Sequence, residues 1–149
     1  MQQAISLAVA SARQGGGPFG AVVVKDGEVI AEGTNQVTSA LDPTAHAEIV
    51  AIRAACAKLG TFSLAGSEVY ASCEPCPMCL AALYWARVER VHYACTRADA
   101  ARAGFDDELL YAELERAPGE RKLPLVPLLR DEGLAAFEAW MAKSDRTPY

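Results

Sequence analysis

The sequence predicts an α/β fold in which a mixed sheet of about five strands carries helices on both faces. Two apolar segments, residues 19–24 and 28–33, flank Asp26-Gly27, a dipeptide typical of a tight β-hairpin turn. After this hairpin, helical and strand patterns alternate, which predicts a sheet with helical crossovers. Because such crossovers are right-handed, the helices that follow Pro43 and Pro75 should lie side by side and begin at the same edge of the sheet.

The helices are predicted from apolar spacing and from residues that begin or end helices. Ile5, Ala8 and Ala12 recur at helical spacing near the N-terminus. Pro43 begins the second helix and Gly60 ends it. The third helix is apolar on nearly every side, so we expect it to be buried. The predicted helices span residues 2–13, 43–59, 75–86, 99–116 (with a break at Gly104) and 131–143.

The strands are predicted from short apolar runs bounded by turn residues. The segment 118–129 carries three of the eight prolines, so it is predicted to be a loop with a short edge strand. No repeat or domain boundary is recognisable, and residues 1–149 are predicted to form a single domain. The predicted strands span residues 19–24, 28–33, 68–72 and 90–95.

Composition excludes several classes of protein. With 52% hydrophobic and 22% charged residues, the chain has the composition of a globular domain rather than of a disordered one. The net charge of -5 argues against a nucleic-acid partner, because that affinity depends on clustered cations. No apolar run approaches the length of a membrane span. Five cysteines, three of them within seven residues, do not form a secreted disulfide framework, which favours a cytoplasmic protein.

Two short motifs carry the chemistry. His46-Ala47-Glu48 lies at the start of one predicted helix, and Cys76 and Cys79 lie three residues apart at the start of another. One imidazole and two thiolates suit Zn²⁺, and helix N-termini favour the thiolate form. Three protein ligands leave a fourth position for water, which is typical of a catalytic zinc site. The order His-x-Glu followed by Pro-Cys-x-x-Cys is the signature of zinc deaminases.

Glu48 is predicted to move protons and not to bind the metal. A carboxylate is a hard group beside soft ligands, and its best role is proton shuttle. Residues two apart point to different sides of a regular helix. Glu48 and His46 must therefore reach one site from the very first turn.

Other interpretations of these residues remain open at this stage. Cys73 is an alternative third sulfur, although it should end the preceding strand and point off the helix face. A Cys-x-x-Cys pair is also found as a redox motif or as two small core residues. Cys56 and Cys95 are interpreted as core residues, and His92, inside an alternating strand, is interpreted as structural. The segment 15–20 contains G-x-G-x-x-G, but it precedes a strand and does not link a strand to a helix, so a dinucleotide site is not predicted.

The chain resembles the cytidine deaminase-like superfamily and, within it, the bacterial guanine deaminase family. The superfamily resemblance is carried by the two motifs above. The narrower resemblance covers most of residues 15–113, including Gly17 to Val22, Asp42 to Glu48, Ser72 to Arg87 and Ala103 to Asp107. It extends to Tyr149 at the C-terminus but is weak over 118–133.

The resemblance implies a three-layer αβα sandwich, a dimer and roles for individual residues. Zn²⁺ would be held by His46, Cys76 and Cys79, with Glu48 as the shuttle. Asp107 would contact the base and assist proton transfer. The implied substrate-binding residues are Asn35, Phe19, Trp85, Glu113 and Tyr149, of which Tyr149 would close the partner's site through an exchanged C-terminal segment.

The activity that the resemblance implies is hydrolytic deamination of a small-molecule purine base, guanine, to xanthine and ammonia. Alternatives with the same catalytic centre are deamination of cytosine, isocytosine, adenine or an amino-triazine such as ammeline. A tRNA adenosine deaminase would need a cationic surface. A non-catalytic, zinc-stabilised binding module is the alternative from a different class, and Glu48 would then have no purpose.

Overall fold

The structure is a computed structural model that describes residues 1–148. Tertiary contacts divide the chain into two compact units, residues 1–107 and the residues from Glu108 onward. The single domain predicted for 1–149 stays a prediction. No helix in the described part of the chain is long and apolar enough to cross a membrane.

The first unit contains four helices and four strands among its residues 1–107. They follow the alternation that the sequence predicts. In chain order they are α1 (Gln2–Arg13), β1 (Gly20–Lys25), β2 (Glu28–Thr34), α2 (Ala47–Leu59), β3 (Ser67–Cys73), α3 (Pro77–Trp85), β4 (Arg90–Cys95) and α4 (Arg97–Arg102).

The sheet is mixed and has the strand order β2-β1-β3-β4. Strand β1 pairs antiparallel with β2 and with β3, whereas β3 and β4 are parallel. The hairpin turn is made by Asp26 and Gly27, both at positive φ. The predicted α/β class with a mixed sheet is confirmed, but in residues 1–148 the sheet has four strands instead of about five.

Helices cover both faces of the sheet. Successive residues of a strand point to opposite faces, and β1 shows this directly. A Cβ atom at Gly20 would meet backbone atoms of Ala4 and Ala8 in α1. The next residue, Ala21, is fully buried in a core cluster that includes Ala51 of α2 and Leu83 of α3. Helix α1 therefore forms one layer and α2 with α3 the other, as a three-layer αβα sandwich requires.

Helix α2 begins at Ala47, later than Pro43 predicts. The carboxylate of Asp42 accepts hydrogen bonds from the backbone N–H of Thr44 (2.8 Å) and from its hydroxyl (2.7 Å). This local side-chain turn competes with the helix. It holds residues 42–45 outside α2, so that His46 becomes the N-cap.

Helix α3 is only partly buried in the single chain, which corrects the prediction from its apolar composition. Cys79 and Leu83 are buried, but Tyr84 is 77% exposed and Trp85 66% exposed. A short helix packed on a sheet can bury only one of its sides.

The second unit contains two helices, α5 (Glu108–Glu115) and α6 (Arg130–Ala142), and a 3₁₀ turn (Pro118–Glu120). The predicted helix over 99–116 is thus two helices separated at the Gly104 break, where φ is +91°. The edge strand predicted within 118–129 is absent from the described residues, and the 3₁₀ turn begins this segment. Because proline has no backbone N–H, the three prolines leave this segment few donors for the hydrogen bonds that a β-sheet needs.

Candidate metal centre and active site

Three donor atoms from two helix starts converge in the first unit. The Sγ atoms of Cys76 and Cys79 lie 3.6 Å and 3.5 Å from His46 Nδ1, and all three ligand atoms lie within 4.8 Å of one another. With ordinary Zn–N and Zn–S bonds, a tetrahedral ion would hold nitrogen and sulfur about 3.6 Å apart. The donor set and its spacing therefore fit one zinc ion.

Helix capping brings these donors together. His46 and Cys76 are the N-cap residues of α2 and α3, and both have extended backbone with ψ near 160° (158° and 167°). Pro77 at the first helical position has the φ that a helix start needs and lacks only an N–H that would be unpaired there. The parallel pairing of β3 with β4 and the crossovers that carry α2 and α3 place both N-termini at one edge of the sheet.

Glu48 reaches the same place from inside α2. Its side chain is buried at 8% exposure, and its Oε2 lies 3.5 Å from the Sγ of Cys79. The two-residue spacing from His46 is not an obstacle, because His46 precedes the first helical turn and does not follow its periodicity. A buried carboxylate beside a three-donor metal centre is placed to exchange protons with a ligand at the fourth position.

The charges of these groups are strongly coupled. Hydrogen bonding from Cys79, together with His46, lowers the pKa of Cys76 to about 4, which favours the thiolate form of this sulfur. That thiolate raises the pKa of His46 and, by repulsion and hydrogen bonding, the pKa of Cys79. Burial raises the pKa of Glu48. Binding of a dication would release the proton of Cys79, as metal ligation by thiols generally does.

Cys73 lies outside this group of donors. It ends β3 as expected, and its Sγ faces the carbonyl oxygen of Thr96 at 3.5 Å. Burial raises the pKa of this thiol to about 11. His92 also lies elsewhere, stacked on Tyr70 and 3.1 Å from a carboxylate oxygen of Glu68.

The remaining cysteines differ in their surroundings. Cys56 packs against the core and Cys95 is exposed. The interpretation of Cys95 as a core residue is therefore wrong, because β4 has its last residues at the surface of the described chain.

Asn35 and Phe19 are held next to each other. The backbone N–H of Asn35 donates to the carbonyl of Phe19 (3.2 Å), and Asn35 Oδ1 accepts from Val37 N–H (3.3 Å). With its oxygen engaged, the amide of Asn35 offers its N–H₂ group to a ligand. Gly17 makes room for this side chain, because a Cβ there would lie 2.9 Å from Asn35 Cγ.

Asp107 is electrostatically coupled to the metal centre. Burial and the negative charge of Cys76 raise the pKa of its carboxyl. A raised pKa suits a carboxyl group that assists proton transfer. The role of Asp107 is implied by the family resemblance and not by a local sequence pattern.

The other predicted substrate residues have less defined positions. Trp85 is largely exposed at the end of α3. Glu113 lies in the second unit, where its carboxylate accepts from Lys122 N–H (2.5 Å) and pairs with Arg116 (3.2 Å). Tyr149 lies outside the described residues.

Phe105 is an aromatic residue for which no role is predicted from the sequence. Its ring meets that of Phe19 edge-on, with centroids 4.9 Å apart and planes at 87°, a favourable geometry for an aromatic pair. Its only signal in the sequence is an aromatic residue placed between Gly104 and two aspartates.

Comparison with known proteins agrees with this geometry. Residues 1–95 match the family model of the cytidine and deoxycytidylate deaminase zinc-binding region. The guanine deaminase of Bacillus subtilis (strain 168) is 49% identical over 150 aligned positions, which cover 100% of this chain and 96% of that protein. An X-ray structure of guanine deaminase from Bacillus subtilis superposes with a TM-score of 0.97 at 50% identity, covering 99% of this chain and 95% of the other.

A second group of relatives matches over a shorter length. The tRNA-specific adenosine deaminase of Aquifex aeolicus (strain VF5) is 48% identical over 77 residues, which cover 52% of this chain and 51% of that protein. The family model spans more than half of the chain and contains all three donors and Glu48. The chain therefore belongs to the cytidine and deoxycytidylate deaminase family and is a zinc-dependent hydrolytic deaminase.

Proposed function

We propose that the chain catalyses hydrolytic deamination of guanine to xanthine and ammonia. The observation that carries this proposal is a buried carboxylate, Glu48, beside a His-Cys-Cys donor set in a chain similar over its whole length to a guanine deaminase. The overall change is replacement of the C2 amino group of the base by an oxygen from water.

In this proposal His46, Cys76 and Cys79 hold the zinc ion. Zinc, when bound, acts as a Lewis acid that makes water a nucleophile near neutral pH. Glu48 Oε2 takes a proton from the attacking water and delivers it to the ring nitrogen beside C2. The same carboxylate then takes the second proton of that water, from the hydroxyl now on C2, and gives it to the departing amine with the assistance of Asp107, so that the C2–N bond breaks and ammonia leaves. Burial of Glu48 suits this role, because it raises the pKa of the carboxyl and so favours its holding a proton between the two transfers.

The base is positioned by groups on two segments, the loop that follows β2 and the loop that precedes β1. The Asn35 N–H₂ group donates to an acceptor on the purine, and the Phe19 ring, braced by Phe105, lines the pocket. The family resemblance further implies that Trp85 lines the pocket, that Glu113 is a second candidate for contact with the base, and that Tyr149 closes the partner's site. A single-ring base such as cytosine would leave part of this contact unused.

An assay on free bases tests the proposal. Purified zinc-loaded protein is incubated with guanine, adenine, cytosine, isocytosine and ammeline, and ammonia release is measured for each. We expect the highest kcat/KM with guanine, accompanied by the absorbance of xanthine. A higher kcat/KM with another base would assign that base as the substrate in place of guanine. The zinc-dependent mechanism would be unaffected.

Deamination of tRNA adenosine is the second candidate, favoured by the relatives that match 52% of the chain. Against it stands the net charge of -5, since binding of RNA phosphates depends on clustered cations. Incubation with tRNA, followed by nucleoside analysis, should show no inosine under conditions where guanine is turned over.

We also propose a cytoplasmic homodimer with an exchanged C-terminal segment. Large apolar side chains are exposed on the single chain, among them Tyr84 and Trp85 in the first unit and Phe137 in the second. Exposed apolar groups of this size are typical of protein interfaces. Sedimentation analysis should give twice the 15.8 kDa of the chain.

A further inference from the structure

Two cysteines that the proposed deamination does not use lie opposite each other at the ends of β3 and β4. Cys73 and Cys95 are register partners in the parallel pair, and both are free thiols. Neighbouring strands run about 4.8 Å apart, which is within the Cα separation that a disulfide spans. Directly opposed residues of parallel strands point to the same side of the sheet, so both thiols face the same way.

The two thiols differ in access to solvent. Cys95 is exposed, whereas Cys73 is buried with 7% exposure. Burial and, after it, electrostatic repulsion from Cys95 raise the pKa of Cys73. The exposed thiol of Cys95 can therefore react with an oxidant from solution, and the buried thiol of Cys73 can then act as the resolving cysteine.

We propose that Cys73 and Cys95 form an oxidation site at which a hydroperoxide produces a disulfide. The Cys95 thiolate attacks one oxygen of hydrogen peroxide, the O–O bond breaks, hydroxide leaves, and Cys95 becomes a sulfenic acid. The Cys73 sulfur then attacks this sulfenic sulfur, the S–S bond forms, the S–O bond breaks, and the oxygen leaves as water with the proton of the Cys73 thiol. In total two thiols are oxidised to a disulfide, one hydrogen peroxide is reduced to two waters, and a dithiol reverses the modification.

The disulfide would act on the metal centre through the backbone. Only Glu74 and Pro75 separate Cys73 from the donor Cys76. The backbone N–H of Glu74 donates to the Cys95 carbonyl (2.9 Å), and a Glu74 carboxylate oxygen accepts from Arg97 N–H (3.1 Å). Drawing Cys73 toward Cys95 would pull its sulfur from Thr96 and move this short segment. Since small displacements of catalytic groups are costly, we expect turnover to fall about tenfold or more.

The experiment treats the zinc-loaded protein with hydrogen peroxide, blocks remaining thiols and digests the protein with trypsin without reduction. Cleavage after Lys58, Arg87, Arg90 and Arg97 places Cys73 in peptide 59–87 and Cys95 in peptide 91–97. We expect a cross-linked pair of these peptides by mass spectrometry. We also expect a parallel loss of turnover that dithiothreitol restores, with zinc content unchanged.

Variants identify the sulfurs and provide controls. Peptide 59–87 also contains Cys76 and Cys79, so the cross-link must disappear in both Cys95→Ala and Cys73→Ser. It must persist in Cys56→Ser, which removes a thiol elsewhere. Cys95→Ala should keep its activity in peroxide.

Two outcomes would overturn the proposed site: a cross-link that survives in Cys73→Ser, or recovery of the two peptides separately, each with its thiols blocked. A cross-link that leaves turnover unchanged overturns its coupling to the metal centre. The mass readout is independent of the substrate, so it stands even if guanine is not the base.

Discussion

Glu48 shows how a single residue can be placed by the break between a loop and a helix. Its neighbour His46 caps α2 in extended backbone, and Glu48 lies in the first turn of the helix. The carboxylate therefore points to the donors although the spacing in sequence is wrong for one helical face. The motif predicts the residue pair, and the cap explains its geometry.

We expect Glu48→Gln to lower kcat on guanine by roughly 10²- to 10⁴-fold while zinc stays bound. The amide keeps the shape of the side chain but cannot shuttle a proton. Steady-state kinetics and metal analysis of the same preparation measure both effects. Glu28→Gln, at an exposed position at the start of β2, is the matched control and should leave kcat unchanged. Near-normal turnover in Glu48→Gln would remove the shuttle role.

Cys79 and Cys73 allow a comparison of two buried thiols near the same centre. We expect Cys79→Ala to lose zinc, because it removes one of three converging donors and zinc affinity depends on ligand number. Cys73→Ala should retain zinc, because its sulfur faces the Thr96 carbonyl instead. Zinc content after dialysis against a weak chelator measures the difference. Equal retention in both variants would contradict the proposed ligand set.

At the scale of elements, two glycines let the helices approach the sheet closely. A Cβ at Gly33 would lie 2.2 Å from the Ala47 carbonyl oxygen in α2, and one at Gly20 would lie 2.4 Å from the Ala4 carbonyl oxygen in α1. Both distances are too short for real contacts, and backbone atoms cannot rotate away. Either helix must therefore shift if its glycine is replaced.

We expect Gly33→Ala and Gly20→Ala each to lower the free energy of unfolding by about 1–3 kcal/mol, the usual cost of overpacking. Only Gly33→Ala should also weaken zinc binding, because α2 begins directly after the donor His46 and α1 carries none of the three donors. Urea denaturation and competitive zinc titration measure the two quantities. Gly119→Ala, where a Cβ meets nothing within 4 Å, is the control. If Gly20→Ala lowered the zinc affinity as much as Gly33→Ala does, the expected difference between the two variants would be contradicted.

Elements with strong local signals were predicted from the sequence, and those that depend on tertiary contacts were not. The hairpin at Asp26 and the convergence of α2 and α3 follow from turn chemistry and crossover handedness. The start of α2 differs because the Asp42 side chain holds the preceding turn. The exposure of Trp85 could not be read from an apolar sequence, since such a pattern does not say whether the core or another copy covers it. Phe105 has only a weak local signal, and its contact with Phe19 joins residues that are far apart in the sequence.

For the molecule as a whole, each site can be completed by its own chain or by a second copy, and the proposed homodimer uses the second copy. In the proposed homodimer Tyr149 would close the partner's site, and the exposed apolar side chains of both units support the proposed self-association. The two arrangements differ in what happens when two inactive variants are combined. Replacing Glu48 inactivates the site of the chain that carries the substitution. Replacing a residue of the tail inactivates whichever site that tail completes.

We expect mixed dimers of Glu48→Gln and Tyr149→Ser to be more active than either parent. In an exchanged dimer, the Tyr149→Ser chain keeps its own Glu48 and receives an intact tail from its partner, so one site in each mixed dimer is complete. If the tail serves its own chain, every site lacks one of the two groups and mixing restores nothing. Refolding the variants together, isolating mixed dimers by two affinity tags and measuring xanthine formation decides the matter. A mixture of separately folded proteins, combined without refolding, controls for residual activity, and absence of restoration would assign each tail to its own site.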